Sequence, residues 1–270
     1  MKALVFGAGG QLGTELVRRL GPESAVMHEE ASITDKTAVA ALVRRRKPDV
    51  VFNCAAYNEV DRAEGDRDEA FAINSDGPFN VAIACARYGG RLVHFSTNFV
   101  FDGVLDRPYV EADEPRPLSV YAQSKLDGEE RVLEASSGAL VIRTAAVFGG
   151  ARGFPARILA RARSGAELQV VSDQRVNPTY ARDLAGAAVE LAEQGASGIV
   201  HAVAEGCCGW DELARAALEE FDLHVPVKPI RAGDYAAAAP RPANGCLASN
   251  RVKPLRPWRE GLHEWAAESK

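Results

Sequence analysis

The chain has 270 residues, 47% of them apolar and 26% charged, with a formal net charge of −5. That balance fits a globular protein with a sizeable core and gives no reason to expect nucleic acid or an anionic membrane as partner. No apolar run approaches the ~18 residues of a membrane span and no cleavage-site pattern follows Met1-Lys-Ala-Leu-Val-Phe-Gly7, so a cytoplasmic protein is expected.

Residues 3–6 are a short continuous apolar run, as in a central parallel strand. Gly7-Ala-Gly-Gly-Gln-Leu-Gly13 follows, and then the helical pattern Thr14–Leu20. The common G-x-G-x-x-G register would need glycine at position 8, where Ala8 stands; Gly7, Gly10 and Gly13 instead give G-x-x-G-x-x-G. Glycines between a strand and a helix permit a tight turn and close approach of backbone to a pyrophosphate. The helix N-terminus behind them supplies free N–H groups and a positive dipole. The stretch therefore points to a dinucleotide.

A second strand is expected over Ser24–His28. Glu29 and Glu30 follow it, where an acid would bind ribose hydroxyls and disfavour a 2′-phosphate, a lean toward NADH. Solvated loop carboxylates are the competing reading. Asp35–Arg46 is read as a helix stopped by Pro48, with Arg44–Lys47 as its solvated end. Asp49–Ala56 is the third strand, and Tyr57–Asp61 leaves it. A helix over Asp68–Tyr88 contains Gly77-Pro78, so a kink is expected near Asn74, which either caps that kink or organises a proton path.

The fourth strand, Arg91–Phe95, delivers Ser96 and Thr97. After a loop rich in Asp and Pro, a helix opens with Tyr121-Ala-Gln-Ser-Lys125. Positions i and i+4 share one helical face, so Tyr121 and Lys125 can serve one site. A strand-end hydroxyl, a phenol and an amine suit proton delivery to a carbonyl being reduced. A free phenol has a pKa of about 10, and a cation ~4–6 Å away would lower it by roughly two to three units. Leu140–Ile142 is a fifth strand. The repeated strand–helix rhythm predicts an α/β Rossmann-type doubly wound parallel sheet over residues 1–149.

Beyond Gly149 the rhythm loosens. Helices are read at Phe154–Arg163, Arg182–Gln194, Trp210–Phe221 and Trp258–Ala267, and strands at Leu168–Val171 and Gly198–Ala202. A segment near 180–202 is expected to return to the sheet, while 150–179 and 203–257 form a smaller substrate-binding lobe built mostly of loops and short helices. Residues 258–270 make a closing helix. The five cysteines, Cys54, Cys85, Cys207, Cys208 and Cys246, match neither a disulfide framework nor zinc-site spacing and are expected as buried free thiols. No metal is expected.

Taken together, the motifs resemble the extended short-chain dehydrogenase/reductases, and within them the dTDP-4-dehydrorhamnose reductases. They are Gly7–Gly13, Asn53-Cys-Ala-Ala-Tyr-Asn-Glu-Val-Asp-Arg-Ala-Glu64, Ser96-Thr-Asn-Phe-Val-Phe-Asp-Gly103, Tyr121–Glu129, Arg143-Thr-Ala-Ala-Val-Phe-Gly149, Asp173–Thr179 and Arg241-Pro-Ala-Asn-Gly-Cys-Leu247. They run in family order over nearly the whole chain. The resemblance implies a reductase of a nucleotide-linked 4-keto-6-deoxy sugar using NADPH or NADH, and it allows a homodimer. By it, Thr97, Tyr121 and Lys125 are the catalytic triad. Gly7, Gly10, Gln11, Leu12, Gly13, Ile33, Ala56, Tyr57 and Asn58, with Tyr121 and Lys125, would bind the cofactor. Thr97, Asn98, Phe99, Ala146 and Arg241 would meet the substrate.

Departures from the family pattern fall around the sugar. Asn98 stands where an acid is usual, Phe99 where a tyrosine is usual, and Ala146 in place of a tryptophan. Val176 replaces a glycine, and Ser32 an aspartate near the adenine. Two other readings share these residues: a non-catalytic dinucleotide-binding regulatory subunit, as in methionine adenosyltransferase, and a sugar-nucleotide epimerase or dehydratase.

Overall fold

A computed structural model describes residues 1–270. Six strands form one parallel sheet in the order β2 (Ala25–Val26), β1 (Ala3–Phe6), β3 (Val50–Asn53), β4 (Arg91–Thr97), β5 (Leu140–Thr144) and β10 (Gly198–His201). The order reverses between β1 and β3, and this topological switch point is where open α/β sheets bind ligands. The helices are α1 (Gln11–Leu20), α2 (Lys36–Arg46), α3 (Arg67–Phe71), α4 (Gly77–Tyr88), α5 (Val120–Ala135) and α6 (Phe154–Arg163), then α7 (Ala181–Glu193), α8 (Trp210–Glu220) and α9 (Trp258–Ser269).

Two apolar clusters cover the two faces of the sheet. Val5, Phe52, Val93 and Ile142 pack with α1 and α7 on one side, while Leu4, Val51, Leu92 and Val141 pack with α2 and α4 on the other. Alternate residues of each strand thus serve opposite faces, and the strands read as continuous apolar runs because both faces are covered. The expected return to the sheet is found: Gly198–His201 pairs with Leu140–Arg143 beyond α7.

A third cluster joins Phe148, Ile158, Leu168, Leu213, Leu218, Trp258 and Trp265. Here the structure differs from the expectation of loops and short helices. Four small sheets are present beside the helices: β6 (Val147–Phe148) with β9 (Thr179–Tyr180), β7 (Leu168–Val171) with β13 (Val227–Ile230), β8 (Arg175–Val176) with β12 (Cys208–Gly209), and β11 (Ala204–Glu205) with β14 (Leu255–Pro257). All of these strands have two to four residues, too few to show a period in the sequence.

The expectation of five free thiols is also corrected. Cys207 and Cys246 form a disulfide, with Cα atoms 6.1 Å apart, and only Cys54, Cys85 and Cys208 are free. The pair is 39 residues apart in sequence. It is assembled by register: Cys208 lies across from Val176, and Arg175 bridges to Asn244. No spacing rule could have shown this.

The kink expected near Asn74 is a π-helical turn over Ala72–Asp76, from which α4 starts afresh at Gly77 with Pro78 in its first turn. Proline lacks a backbone N–H, so the start of a helix is where it costs least. No helix is long and apolar enough to cross a membrane.

Candidate active site

Gly7 has φ +73, and a Cβ there would lie 2.6 Å from the Ala55 nitrogen. The first turn after β1 therefore presses directly against the end of β3, at the switch point. A Cβ on Gly13 would lie 2.1 Å from the Gly7 oxygen, so this glycine lets α1 close over the turn. Gly10 caps α1 without any side-chain hydrogen bond. The N–H groups of Gln11 and Leu12 consequently have no partner within the helix. The Gln11 Oε1 is buried and unpartnered, close to Gly153. A glycine cradle with free N–H groups fits a pyrophosphate.

At the other side of the switch point, Asn74 staples the chain that leaves β3. It accepts the Tyr57 N–H at 2.8 Å, and its amide donates to the Tyr57 carbonyl and to Ser124 Oγ, each at 3.0 Å. A Cβ on Gly128 would stand 2.1 Å from the Asn74 oxygen, so α5 and the π-turn are in backbone contact. Asn74 thus holds Tyr57 and α5 together, a role its place near a kink did not reveal. Tyr57 is buried and donates its hydroxyl proton to Asp66 at 3.0 Å.

Ser119 Oγ accepts the Ala122 N–H and fixes where α5 begins. Tyr121 therefore falls in the first turn and Lys125 one turn later, both buried. β4 ends at Thr97, whose hydroxyl accepts the Phe99 N–H at 3.2 Å. The Tyr121 hydroxyl faces Asn58 Oδ1 at 3.5 Å, and its ring meets the Phe99 ring edge-on at 5.9 Å. Strand end, helix start and the loop after β3 converge on one point, and Thr97, Tyr121, Lys125, Asn58, Asn98 and Phe99 surround it.

The electrostatics differ from the expectation that Lys125 depresses the phenol. Burial pushes Tyr121 up to about 12, and only the Thr97 hydroxyl pulls the other way. Lys125 is itself lowered to about 8, chiefly by burial, with Glu129 and Cys54 opposing. The ammonium instead donates to the Phe95 carbonyl at 2.7 Å. Sharing a helical face brought the two residues to one site, but it did not decide where the long lysine chain would end.

The other expected residues divide. Ala56 and Asn58 line the loop after β3 and are accessible. Ile33 is buried under α4, against Gly77, with its carbonyl accepting from Asn80 at 3.1 Å. Glu30 is paired with Arg45 at 2.8 Å and lies 3.5 Å from Arg46, so the basic run ends α2 as expected and is partly spent on this acid. Ala146 leaves β5 with φ +42, a left-handed geometry that disfavours larger and branched side chains.

Arg241 grips Asp61 with both terminal nitrogens, Nη1 to Oδ1 at 2.9 Å and Nη2 to Oδ2 at 2.6 Å. Asp61 also accepts the Ala239 N–H at 3.0 Å. The loop after β3 is thereby locked to the loop carrying Arg241, across 180 residues of sequence. The pairing of Asp61 with Arg241 was not expected. The only available signal was that the two belong to motifs of opposite charge.

The whole chain, residues 1–270, matches the family described as RmlD substrate binding domain. The chain belongs to this family. The dTDP-4-dehydrorhamnose reductase of Mycobacterium tuberculosis H37Rv is 40% identical over 278 residues, covering 97% of this chain and 91% of that protein. A probable dTDP-4,6-dihydroxy-2-methyloxan-3-one 4-ketoreductase of Streptomyces antibioticus is 37% identical, covering 98% and 94%. Among solved structures, the dTDP-4-dehydrorhamnose reductase of Bacillus anthracis in complex with NADP superposes with a TM-score of 0.95 at 32% identity, over 99% of this chain and 100% of that one. The Rossmann-type fold expected from the strand–helix rhythm is therefore shared from end to end with this family.

Proposed function

We propose that the protein is an NAD(P)H-dependent reductase of a nucleotide-linked 4-keto-6-deoxy sugar of the dTDP-4-dehydrorhamnose type. The observation that carries this reading is the convergence of Thr97 and Tyr121 on one buried point, beside the glycine turn and at the carboxyl edge of the sheet. Residues 150–179 and 203–257 serve as the substrate lobe.

Gly7, Gly10 and Gly13 leave room for the pyrophosphate of the cofactor, with the Gln11 and Leu12 N–H groups directed to it. The reduced nicotinamide supplies a hydride to the keto carbon. Thr97 fixes the keto oxygen, and the phenol of Tyr121, protonated throughout the neutral range because burial raises its pKa, donates a proton as negative charge develops on that oxygen. Carbon gains the hydride, oxygen gains the proton, and the resulting phenolate is stabilised by the Thr97 hydroxyl until solvent returns a proton. Asp61 and Arg241 tie the lobe to the loop after β3 beside the site.

The experiment is oxidation of NADPH and of NADH by the purified protein with dTDP-4-dehydrorhamnose, followed by product analysis. Turnover with either cofactor supports the reading. Cofactor binding without turnover of any such sugar overturns it in favour of a regulatory subunit, and a cofactor that co-purifies tightly as NAD points to an epimerase or dehydratase. Light scattering on the same preparation tests self-association.

A further inference from the structure

Asn98 is 3% exposed and lies between the catalytic strand end and the substrate lobe. Its Oδ1 accepts the Thr97 hydroxyl at 3.3 Å, and its Nδ2 donates to the Gly245 carbonyl at 2.9 Å. Both polar atoms of the side chain have a partner inside the protein, one on the catalytic strand end and one on the lobe. Gly245 is shaped to it: a Cβ there would stand 2.3 Å from Asn98 Nδ2.

The loop that presents Gly245 is held from several directions. The Gly245 N–H donates to Arg175 at 2.8 Å, and the Asn244 amide donates to the carbonyls of Leu105 and Arg107. Leu247 N–H donates to Asn177 at 2.7 Å, and Cys246 is tied to Cys207. The Gly245 carbonyl is therefore a stationary acceptor. It fixes the amide of Asn98, and the amide in turn sets the resting direction of the Thr97 hydroxyl.

We propose that Asn98 is a positioning residue that ties the seating of the Gly245 loop to the orientation of the Thr97 hydroxyl. The inference rests on the reductase reading above for its catalytic consequence. An O–H···O bond of 3.3 Å is long against a usual 2.7–2.8 Å. It parks the hydroxyl without holding it strongly, so the proton turns readily to a substrate oxygen on which charge is building. Only an amide serves both sides. A carboxylate has no proton for the Gly245 carbonyl, and it binds the Thr97 hydroxyl about twice as strongly, which opposes that turn.

Two measurements test this. The first is made on the free protein labelled with ¹⁵N-asparagine. The Asn98 side-chain amide, identified by its loss in Asn98→Asp, is expected to be protected from exchange with D₂O, and Gly245→Ala is expected to abolish that protection while the rest of the spectrum stays dispersed. An Asn98 amide that exchanges like a surface one overturns the inference whether or not the protein reduces a sugar.

The second is kinetic. Asn98→Asp, Asn98→Leu and Gly245→Ala are each expected to lose 10- to 100-fold in kcat, with the KM for cofactor unchanged within two-fold. The Asn98→Leu/Gly245→Ala double variant is expected to be no slower than the slower single variant, because both break one chain of contacts. Full kcat in Gly245→Ala, or losses that multiply in the double variant, overturns the coupling. Inactivity of the unaltered protein with every sugar removes the reductase reading and leaves the exchange measurement to decide the role of Asn98.

Discussion

Lys125 Nζ donates to the Phe95 carbonyl oxygen at 2.7 Å, two residues before Thr97 on the same strand. The helix carrying Tyr121 is thus pinned to the strand carrying Thr97 by a buried ammonium. That tether has a pH dependence, because burial lowers Lys125 from 10.5 to about 8.

Lys125 is charged below about 8 and neutral above it, so kcat/KM, which reports the free enzyme, is expected to fall as pH rises through about 8. Lys125→Met should be slow throughout and lack that limb. Stability moves the other way. The unfolded chain keeps this proton up to 10.5 while the folded one releases it from about 8, so unfolding free energy rises with pH across that window. Its full extent is roughly 3 kcal/mol at 1.36 kcal/mol per unit. Denaturant midpoints at pH 7.5 and 9.5 for the native chain and Lys125→Met give the difference; equal pH dependence in the two would refute the assignment.

Tyr121→Phe removes the proton donor and the hydroxyl's contacts with Thr97 and with Asn58 at 3.5 Å. General acid catalysis contributes some 10²–10⁴-fold, and kcat is expected to fall in that range. The ring still packs edge-on against Phe99, so cofactor affinity and melting temperature are expected to stay near native values. Cofactor titration by fluorescence together with single-turnover rates checks both; a Phe variant with near-native kcat would exclude Tyr121 as the acid.

The Asp61–Arg241 pair is partly exposed, with side-chain exposures of 45% and 23%. Exposed pairs contribute about 0–1 kcal/mol to stability, so Arg241→Met should melt close to the native protein. The expected effect lies in the site. Loss of the link between the loop after β3 and the lobe should raise the sugar-nucleotide KM by about ten-fold, a cost of about 1.4 kcal/mol. Asp61→Asn should do the same more weakly, because an amide accepts from only one arm of the guanidinium. Steady-state kinetics with varied sugar nucleotide measures it, and an unchanged KM in Arg241→Met would show that the lock does not shape substrate binding.

The Cys207–Cys246 disulfide leaves three of the five cysteines free. Thiol titration of unfolded protein is expected to find three reactive groups without reductant and five after reduction. Cys207→Ser, compared without reductant, should lose about 2–4 kcal/mol of unfolding free energy. Five thiols in the unreduced protein would disprove the pairing.

Much of the framework was legible because its signals are local. The apolar run of β1, the glycine turn and the start of α1 are contiguous, and each follows from backbone sterics within a few residues. The helix Phe154–Arg163 and the short apolar strand Leu168–Val171 were read from local sequence and stand at those bounds. Tyr121 and Lys125 share a site because helical spacing puts i and i+4 together, and Thr97 joins them because parallel strands all end on one edge.

What only the tertiary structure decided concerns partners distant in sequence and the depth at which they meet. The Asp61–Arg241 and Asn98–Gly245 contacts span 180 and 147 residues, and no periodicity links such positions. The short strands of the C-terminal lobe and the Cys207–Cys246 pair depend on register between separate segments. The direction of the Tyr121 shift depended on burial. A pairing argument from spacing placed Lys125 beside the phenol but could not supply the phenol's desolvation, which raises it. Glycine turn, strand end and helix start were therefore written in the sequence, while the hydrogen bonds that aim Thr97, Tyr121 and Lys125 were settled by packing.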